Sequence, residues 1–110
     1  MDELSAYRQI VKEQIQACAK RFVQVEYEVS PIFDDERGHY LLMLFGRDRG
    51  RRVHDTILHV RLHNGKVWIE LDEAFEGITH ALVEAGIPRD AIVLAMHSPW
   101  KRQFTEFAVA

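Results

Sequence analysis

The sequence predicts an α+β fold, in which a mostly antiparallel sheet of about five strands carries an N-terminal helix and a second helix packed on it. Apolar residues first recur at the three- and four-residue spacing of a helix and then alternate at the strand period of two. The predicted order is helix, four consecutive strands, helix, strand and tail. Repeated strand–helix units, which would indicate a parallel sheet, are absent from this order.

The first helix is predicted from about Asp2 to Arg21, with Asp2 as the candidate N-cap. Its apolar stripe comprises Leu4, Tyr7, Val11, Ile15, Cys18 and Phe22. Apolar and polar residues then alternate from Val23 to Ser30, which predicts a strand with one solvent-exposed face. Pro31, the acids of 34–36 and Gly38 predict a turn. The next segment, Tyr40 to Phe45, is apolar at every position, which is typical of a central strand.

Arg47 to Arg52 is predicted to be a charged connection, after which the strongest turn signal of the chain follows. Asn64-Gly65 between alternating segments predicts a two-residue hairpin, because both central residues of a type I′ turn need positive φ. Pairing His63 with Lys66 sets the register. It places Leu62 opposite Val67, Val60 opposite Ile69 and Leu58 opposite Leu71 on the buried face, and Arg61 opposite Trp68 and His59 opposite Glu70 on the outer face.

The second helix is predicted from about Glu73 to Ala85, capped by Asp72 and ended by Gly86 and Pro88. Its inward residues are expected to be Phe75, Ile78, Leu82 and Ala85. Ala91 to Met96 is predicted to be a buried strand that Pro99 interrupts. The tail from Phe104 to Val109 is too apolar for a solvated terminus and is expected to dock.

Composition limits the class of protein. The chain has 110 residues, a net charge of −3 and one cysteine, which fits a single domain over 1–110 without disulfides or cysteine-based zinc. The start has no secretory pattern and no apolar run is long enough to span a membrane, so we expect a cytoplasmic protein. The acidic balance argues against a protein that binds duplex DNA by itself.

No catalytic constellation is evident, and no enzyme activity, cofactor or metal is expected. The glycine patterns of phosphate loops are missing, and Cys18 lies on the apolar stripe of the first helix. His59 and His63 share a strand face but stand about 13 Å apart, too far to ligate one ion. A divalent-metal nuclease that uses Asp34 to Glu36 is one candidate function, and it predicts DNA cleavage that EDTA abolishes.

Two opposite charge runs are expected at the sheet end away from the Asn64-Gly65 tip. Arg47 to Arg52 sums to +3, and Glu70 to Glu76 sums to −4. Either the runs neutralise each other or remain solvated, or the basic loop meets nucleic acid or an acidic partner. If the basic loop meets nucleic acid, the chain is a weak DNA-binding module, which a homodimer would double, and it would use Arg47, Arg49, Arg51 and Arg52.

Short motifs along nearly the whole chain carry a resemblance to a known family. They are Ile32-Phe33-Asp34, His39-Tyr40, Arg52-Val53-His54, Gly65-Lys66-Val67-Trp68-Ile69, Gly86-Ile87-Pro88, His97-Ser98-Pro99 and Lys101 through Ala108. In these motifs the chain resembles the XisI family, cyanobacterial factors that control excision of the DNA element interrupting a nitrogen-fixation operon. The family usually carries Trp after the glycine that ends its second strand, whereas here Arg47 follows Gly46. The resemblance implies a small α+β protein that acts with a recombinase and a companion factor, XisH.

The leading expectation is therefore a non-enzymatic accessory factor that binds an XisH-like protein in a DNA-processing context. Trp and Arg are enriched at binding hot spots, so the outer hairpin face and the C-terminal segment are the candidate interface. Its residues are Arg61, Trp68, Pro99, Trp100, Arg102, Phe104 and Glu106. The alternatives are the DNA-binding module and a protein-interaction domain unrelated to excision.

Overall fold

A computed structural model describes residues 2–22 and 26–110. Its elements are α1 (Glu3–Ala19), β1 (Glu28–Asp34), β2 (His39–Asp48), β3 (Arg51–His63), β4 (Lys66–Asp72), α2 (Thr79–Glu84), a 3-10 turn (Arg89–Ala91), β5 (Ile92–Val93) and α3 (Pro99–Arg102). The strands form one sheet in the order β1-β2-β3-β4-β5, with antiparallel pairs except for the parallel pair β4 and β5. The predicted fold class is thus confirmed.

Helix α1 begins at its predicted cap and covers one face of the sheet. The Asp2 carboxylate accepts a hydrogen bond from the Ser5 N–H at 2.7 Å, which satisfies one of the free donors of the first turn. The buried stripe of the helix packs on every second residue of the strands, those whose side chains point toward the helix. We call this side of the sheet the core face. The packed residues include Tyr7, Val11, Ile15, Cys18, Tyr40, Leu42, Leu58, Val60, Val67 and Ile69.

Strand β1 differs from the prediction. It begins at Glu28, and the predicted start at Val23 to Val25 lies outside the described residues. Pro31 was expected in the turn but lies within β1 opposite Leu42. An edge strand tolerates proline because the missing N–H can face away from its neighbour. The turn therefore follows only after Asp34 and spans 35–38.

The hairpin at Asn64-Gly65 forms as predicted, with φ of 52° and 75°, and four register pairs from His63–Lys66 to Val60–Ile69 are confirmed. The predicted pairs beyond them are wrong. Glu70 is an extra residue in β4, so the register shifts by one and places Leu58 opposite Asp72 and His59 opposite Leu71. A β-bulge of this kind leaves no mark on the alternating pattern.

The predicted charged connection is instead a second tight hairpin. Strand β2 continues to Asp48 and β3 starts at Arg51, so only Arg49 and Gly50 form the turn. Their φ values of 54° and 81° fit a type I′ turn. Ile57 is an extra residue in β3, between the pairs Leu42–Leu58 and Met43–Thr56.

Helix α2 is shorter than predicted because it starts at Thr79 instead of Glu73. Asp72 does cap it, across a loop, by accepting from the N–H groups of Ile78 and Thr79 at 2.8 and 3.2 Å. Positive φ at Glu76 and Gly77 breaks the helical path before that point. As a result Phe75 and Ala85, both expected inward, are exposed, whereas Ile78 and Leu82 are buried as predicted.

The C-terminal tail docks, as expected from its composition. The Ala108 N–H donates to the Ile92 carbonyl at 2.8 Å, and Phe107 packs against the core. The expected strand from Ala91 to Met96 is reduced to β5. The side chains of Phe104 and Val109 remain exposed, so the tail is anchored mainly at Phe107 and Ala108.

Candidate partner-binding surface

Trp68 lies at the centre of a cluster on the sheet face opposite the core face, which we call the open face. The guanidinium carbons of Arg61 and Arg102 lie 5.7 and 5.5 Å from its ring centroid, within cation–π range. The indole N–H donates to the His63 carbonyl at 2.9 Å. The ring therefore has a fixed orientation and two cationic neighbours, one from β3 and one from the C-terminal segment.

Arg61 is itself held in place. Its Nε donates to Glu70 Oε2 at 2.8 Å, and both side chains are mostly buried, with exposed fractions of 30% and 28%. Glu70 is the extra residue of the β4 bulge, and its carboxylate contacts Arg61 on the open face. An ion pair that is fixed before binding reduces the entropy lost when a partner docks.

Arg102 connects different parts of the C-terminal segment with one another and with Trp68 of the sheet. Its guanidinium donates to the carbonyl oxygens of His97, Val109 and Ala95 at 3.0, 3.3 and 3.4 Å. The sequence suggested this residue only as an interface candidate. The structure adds a structural role, because the same side chain holds the tail against Trp68.

The other interface candidates surround a second aromatic pair. Trp100 and Phe104 meet edge to face with centroids 4.9 Å apart, and they are 68% and 70% exposed. Pro99 begins α3, whose N-cap is Ser98, and Glu106 forms an ion pair with Arg89 at 3.1 Å. The short helix thus presents two aromatic rings to solvent from a tail that Arg102 fixes.

The open face also carries apolar side chains on β1 and β2, which β3 separates from Trp68. The alternation of β1 and β2 that buries Tyr40 and Leu42 points Ile32, Leu41, Met43 and Phe45 to the other side. Ile32 is 49% exposed and the other three are partly buried. The sequence predicted that Tyr40 to Phe45 is apolar on both faces, and the second apolar face is this one.

A histidine pair on the open face was missed by the sequence argument. His39 Nδ1 and His59 Nε2 lie 3.0 Å apart, across β2 and β3. Burial lowers the pKa of His59 from its ordinary value, His39 and Arg61 lower it further, and Glu70 opposes them. Burial therefore favours the neutral form of the His59 ring. Only the cross-strand register could have revealed this contact.

The four arginines of the basic loop, Arg47, Arg49, Arg51 and Arg52, are all exposed at the tip of the β2–β3 hairpin. Of the alternatives for the two charge runs, mutual neutralisation is not observed in the part of the chain that the structure describes. Among the described residues no salt bridge joins 47–52 to 70–76; instead Glu70 pairs with Arg61, and Glu76 with Arg21 at 3.6 Å. The cause is geometric, because β4 ends at Asp72 opposite Leu58 while β3 extends back to Arg51.

The acidic turn is engaged in internal contacts. Asp35 accepts from Lys12 Nζ at 2.6 Å and from the Tyr40 hydroxyl at 3.0 Å, and the Lys12 contact lowers the pKa of Asp35. Asp34 accepts from the Arg37 N–H and its guanidinium. Cys18 is buried, which raises the pKa of its thiol. Within 2–22 and 26–110 no three potential ligands gather at metal-binding distance.

None of the helices in the described part of the chain combines the length and the apolar character needed to cross a membrane.

Comparison with known proteins gives a consistent result. The family described as XisI protein matches residues 1–109. Among solved structures, an XisI-like protein from Anabaena variabilis ATCC 29413 is 33% identical, with a TM-score of 0.91 over 98% of this chain and all of that one. The fdxN element excision controlling factor XisI from the same organism is 36% identical, with a TM-score of 0.84 over 99% of this chain and all of that one. No curated protein matches.

Proposed function

Because this chain belongs to the XisI family, we propose that it is a non-enzymatic controlling factor in the excision of a DNA element and that it acts by binding a protein partner, an XisH-like protein. A relative in that family carries the description of an excision controlling factor. The observation that supports the binding mechanism most is the Arg61–Trp68–Arg102 cluster.

The cluster has the chemistry of a binding hot spot. A tryptophan flanked by two arginines combines a large apolar area with charge, and these residue types carry a disproportionate share of interface energy. The Glu70 carboxylate and the carbonyls bound by Arg102 keep both cations in place. A partner would therefore meet a preformed surface.

The apolar residues of the open face extend this surface. Leu41 and Met43 lie on β2 and Ile32 lies on β1, on the same face as Trp68 but across β3 from it, and apolar area on the face of an aromatic anchor is typical of a protein interface. We expect the partner to contact the open face through an apolar patch of its own. An acidic group on the partner would reach the arginines beside Trp68.

Isothermal titration calorimetry with a purified XisH-family protein tests this proposal. We expect association at micromolar concentration and an affinity at least about tenfold weaker for Trp68→Ala. Phe75→Ala is the matched control, since Phe75 is an aromatic residue 86% exposed that lies beside Cys18 and Phe22, away from the open face. Circular dichroism would establish that both variants fold.

Two results would contradict the proposal. One is the absence of association between the wild-type proteins; the other is an unchanged affinity for Trp68→Ala. If the XisH-family protein does not bind but a different protein binds through Trp68, the chain is a protein-interaction domain unrelated to excision.

A second candidate function is weak DNA binding by Arg47, Arg49, Arg51 and Arg52, whose exposure without acidic partners on 70–76 favours it. Counterion release requires the affinity to fall steeply as salt increases. In fluorescence anisotropy with a DNA duplex, replacing Arg49 by alanine should reduce the salt slope by about one, and replacing Lys66, which pairs with His63 at the opposite end of β3, should not. Absence of binding at low salt would exclude this function.

A further inference from the structure

Strand β3 has an open edge that no described strand covers. It contains 13 residues, but β4 pairs only with Leu58–His63. From Arg51 to Ile57 no described strand pairs with β3 on the side away from β2, over about 20 Å at 3.3 Å per residue. We call this stretch the notch, because β4 and the Glu73 N–H, which donates to the Ile57 carbonyl at 2.9 Å, close its inner end.

The notch offers backbone hydrogen-bonding groups. In a two-residue hairpin the residues that flank the turn, Asp48 and Arg51, bond to each other, and narrow and wide pairs alternate from there. The N–H and C=O groups of Arg52 and His54 therefore point away from β2. An edge with such groups is a template for another strand.

We propose that the occupant of this notch is the same strand of a second copy, paired antiparallel about a two-fold axis. The outward groups of Arg52 must then face those of His54 in the partner. This register sets Val53 opposite Val53 and Arg51 opposite Asp55, twice.

Only this register fits the notch. With Val53 at the axis, the second copy's turn at 49–50 falls opposite 56–57, just before β4 begins to pair. Moving the axis to His54 would bring that turn opposite 58–59, where β4 already lies. Moving it to Arg52 would set two arginines opposite one another, which is unfavourable. The length and charge of the open edge thus select the pairing.

Charge also favours a second copy over an unrelated strand. In the selected register, each Arg51 meets an Asp55 for which no salt bridge is formed within the described chain, and cross-strand pairs of opposite charge are stabilising. In this register the hairpin tip of each copy, which carries the basic loop 47–52, lies beside Glu73 of the other copy. Glu73 is at the inner end of the notch and belongs to the acidic run. The two charge runs that stay apart within one copy would meet between copies.

The two sheet edges are protected differently. Edge strand β1 contains Pro31, a residue that blocks pairing, whereas the notch from Arg51 to Ile57 has no proline and no lysine. A pairing over about five residues per copy is at the small end of protein interfaces, so the dimer should be weak, with a dissociation constant in the micromolar range.

Sedimentation velocity over about 5 to 500 µM tests the proposal. The wild-type protein should shift from 12.8 kDa toward twice that mass as concentration rises. His54→Pro removes an outward N–H that β2 does not use, and it should raise the dissociation constant at least about tenfold, whereas His54→Ala should leave it nearly unchanged.

A charge exchange gives a second test that does not depend on proline. Arg51→Glu and Asp55→Lys should each weaken self-association, since each places like charges opposite one another. Mixing the two variants should restore a dimer. In the mixed pair, the glutamate introduced at position 51 of one copy meets the lysine introduced at position 55 of the other, and the remaining Arg51 still meets the remaining Asp55. Restoration on mixing is specific to this two-fold register.

A monomer at every concentration would overturn the proposal, as would association that His54→Pro leaves unchanged or a mixture that does not associate. These outcomes are independent of partner binding at Trp68, which is tested at a different surface and by a different ligand.

Discussion

Truncating Arg102 to alanine measures how firmly the C-terminal segment is held. The bond from Arg102 to the His97 carbonyl is 3.0 Å long, and those to Val109 and Ala95 are longer, at 3.3 and 3.4 Å. The short bond contributes about 1 kcal/mol, each longer bond about 0.5 and the contact with Trp68 about 0.5. We expect Arg102→Ala to reduce the free energy of unfolding by about 2 to 3 kcal/mol.

Urea unfolding followed by circular dichroism gives this free energy, and native-state amide exchange locates the effect. The Ala108 N–H, which bonds to the Ile92 carbonyl, should exchange about fiftyfold faster in the variant. Lys101→Ala is the control: the neighbouring side chain is exposed, and its loss should change stability by less than about 0.5 kcal/mol. If Arg102→Ala is as stable as wild type and Ala108 exchanges at the same rate, Arg102 does not anchor the tail.

Three further predictions concern other parts of the fold. Because the pKa of His59 is lowered on folding, the unfolded chain takes up its proton first as the pH falls through 6.5, so stability should decrease as the pH falls through that value, and His59→Gln should flatten this dependence in urea titrations. Gly38→Ala should cost at least about 2 kcal/mol in thermal unfolding, because φ is +74° and the new Cβ would lie 2.8 Å from the Leu62 carbonyl oxygen. Asp72→Ala should cost about 2 kcal/mol by removing the acceptor at the start of α2, and Asp72→Asn about half of that, because one oxygen remains.

The sequence predicts this fold best where local patterns and tertiary packing agree. The stripe of α1 and the Asn64-Gly65 turn are both local signals, and both are confirmed. The failures lie where packing overrides the pattern: the extra residue Glu70 shifts the predicted β3–β4 register without a turn residue to mark it. The predicted start of α2 is wrong for a related reason, since Asp72 caps the helix from across a loop.

In the candidate surface, too, the contacts that follow from a local pattern were predictable and those that depend on tertiary packing were not. The contact of Arg61 with Trp68 follows from the hairpin register, which the turn fixes. Arg102 contacts the same ring only because the tail docks. His39 contacts His59 only because of the β2–β3 register. Both are long-range contacts with no periodicity in the chain.

The turn at the tip of the β2–β3 hairpin has a consequence for engineering this protein. Its first residue, Arg49, has a φ of 54°, a conformation that costs a residue such as arginine about 1 kcal/mol more than asparagine or glycine. The other hairpin uses Asn-Gly in the same place. Optimising thermostability alone would therefore select against Arg49, and would remove a positive charge from the exposed tip. A stabilised variant chosen by melting temperature would be the wrong reagent for studying whatever that charge recognises.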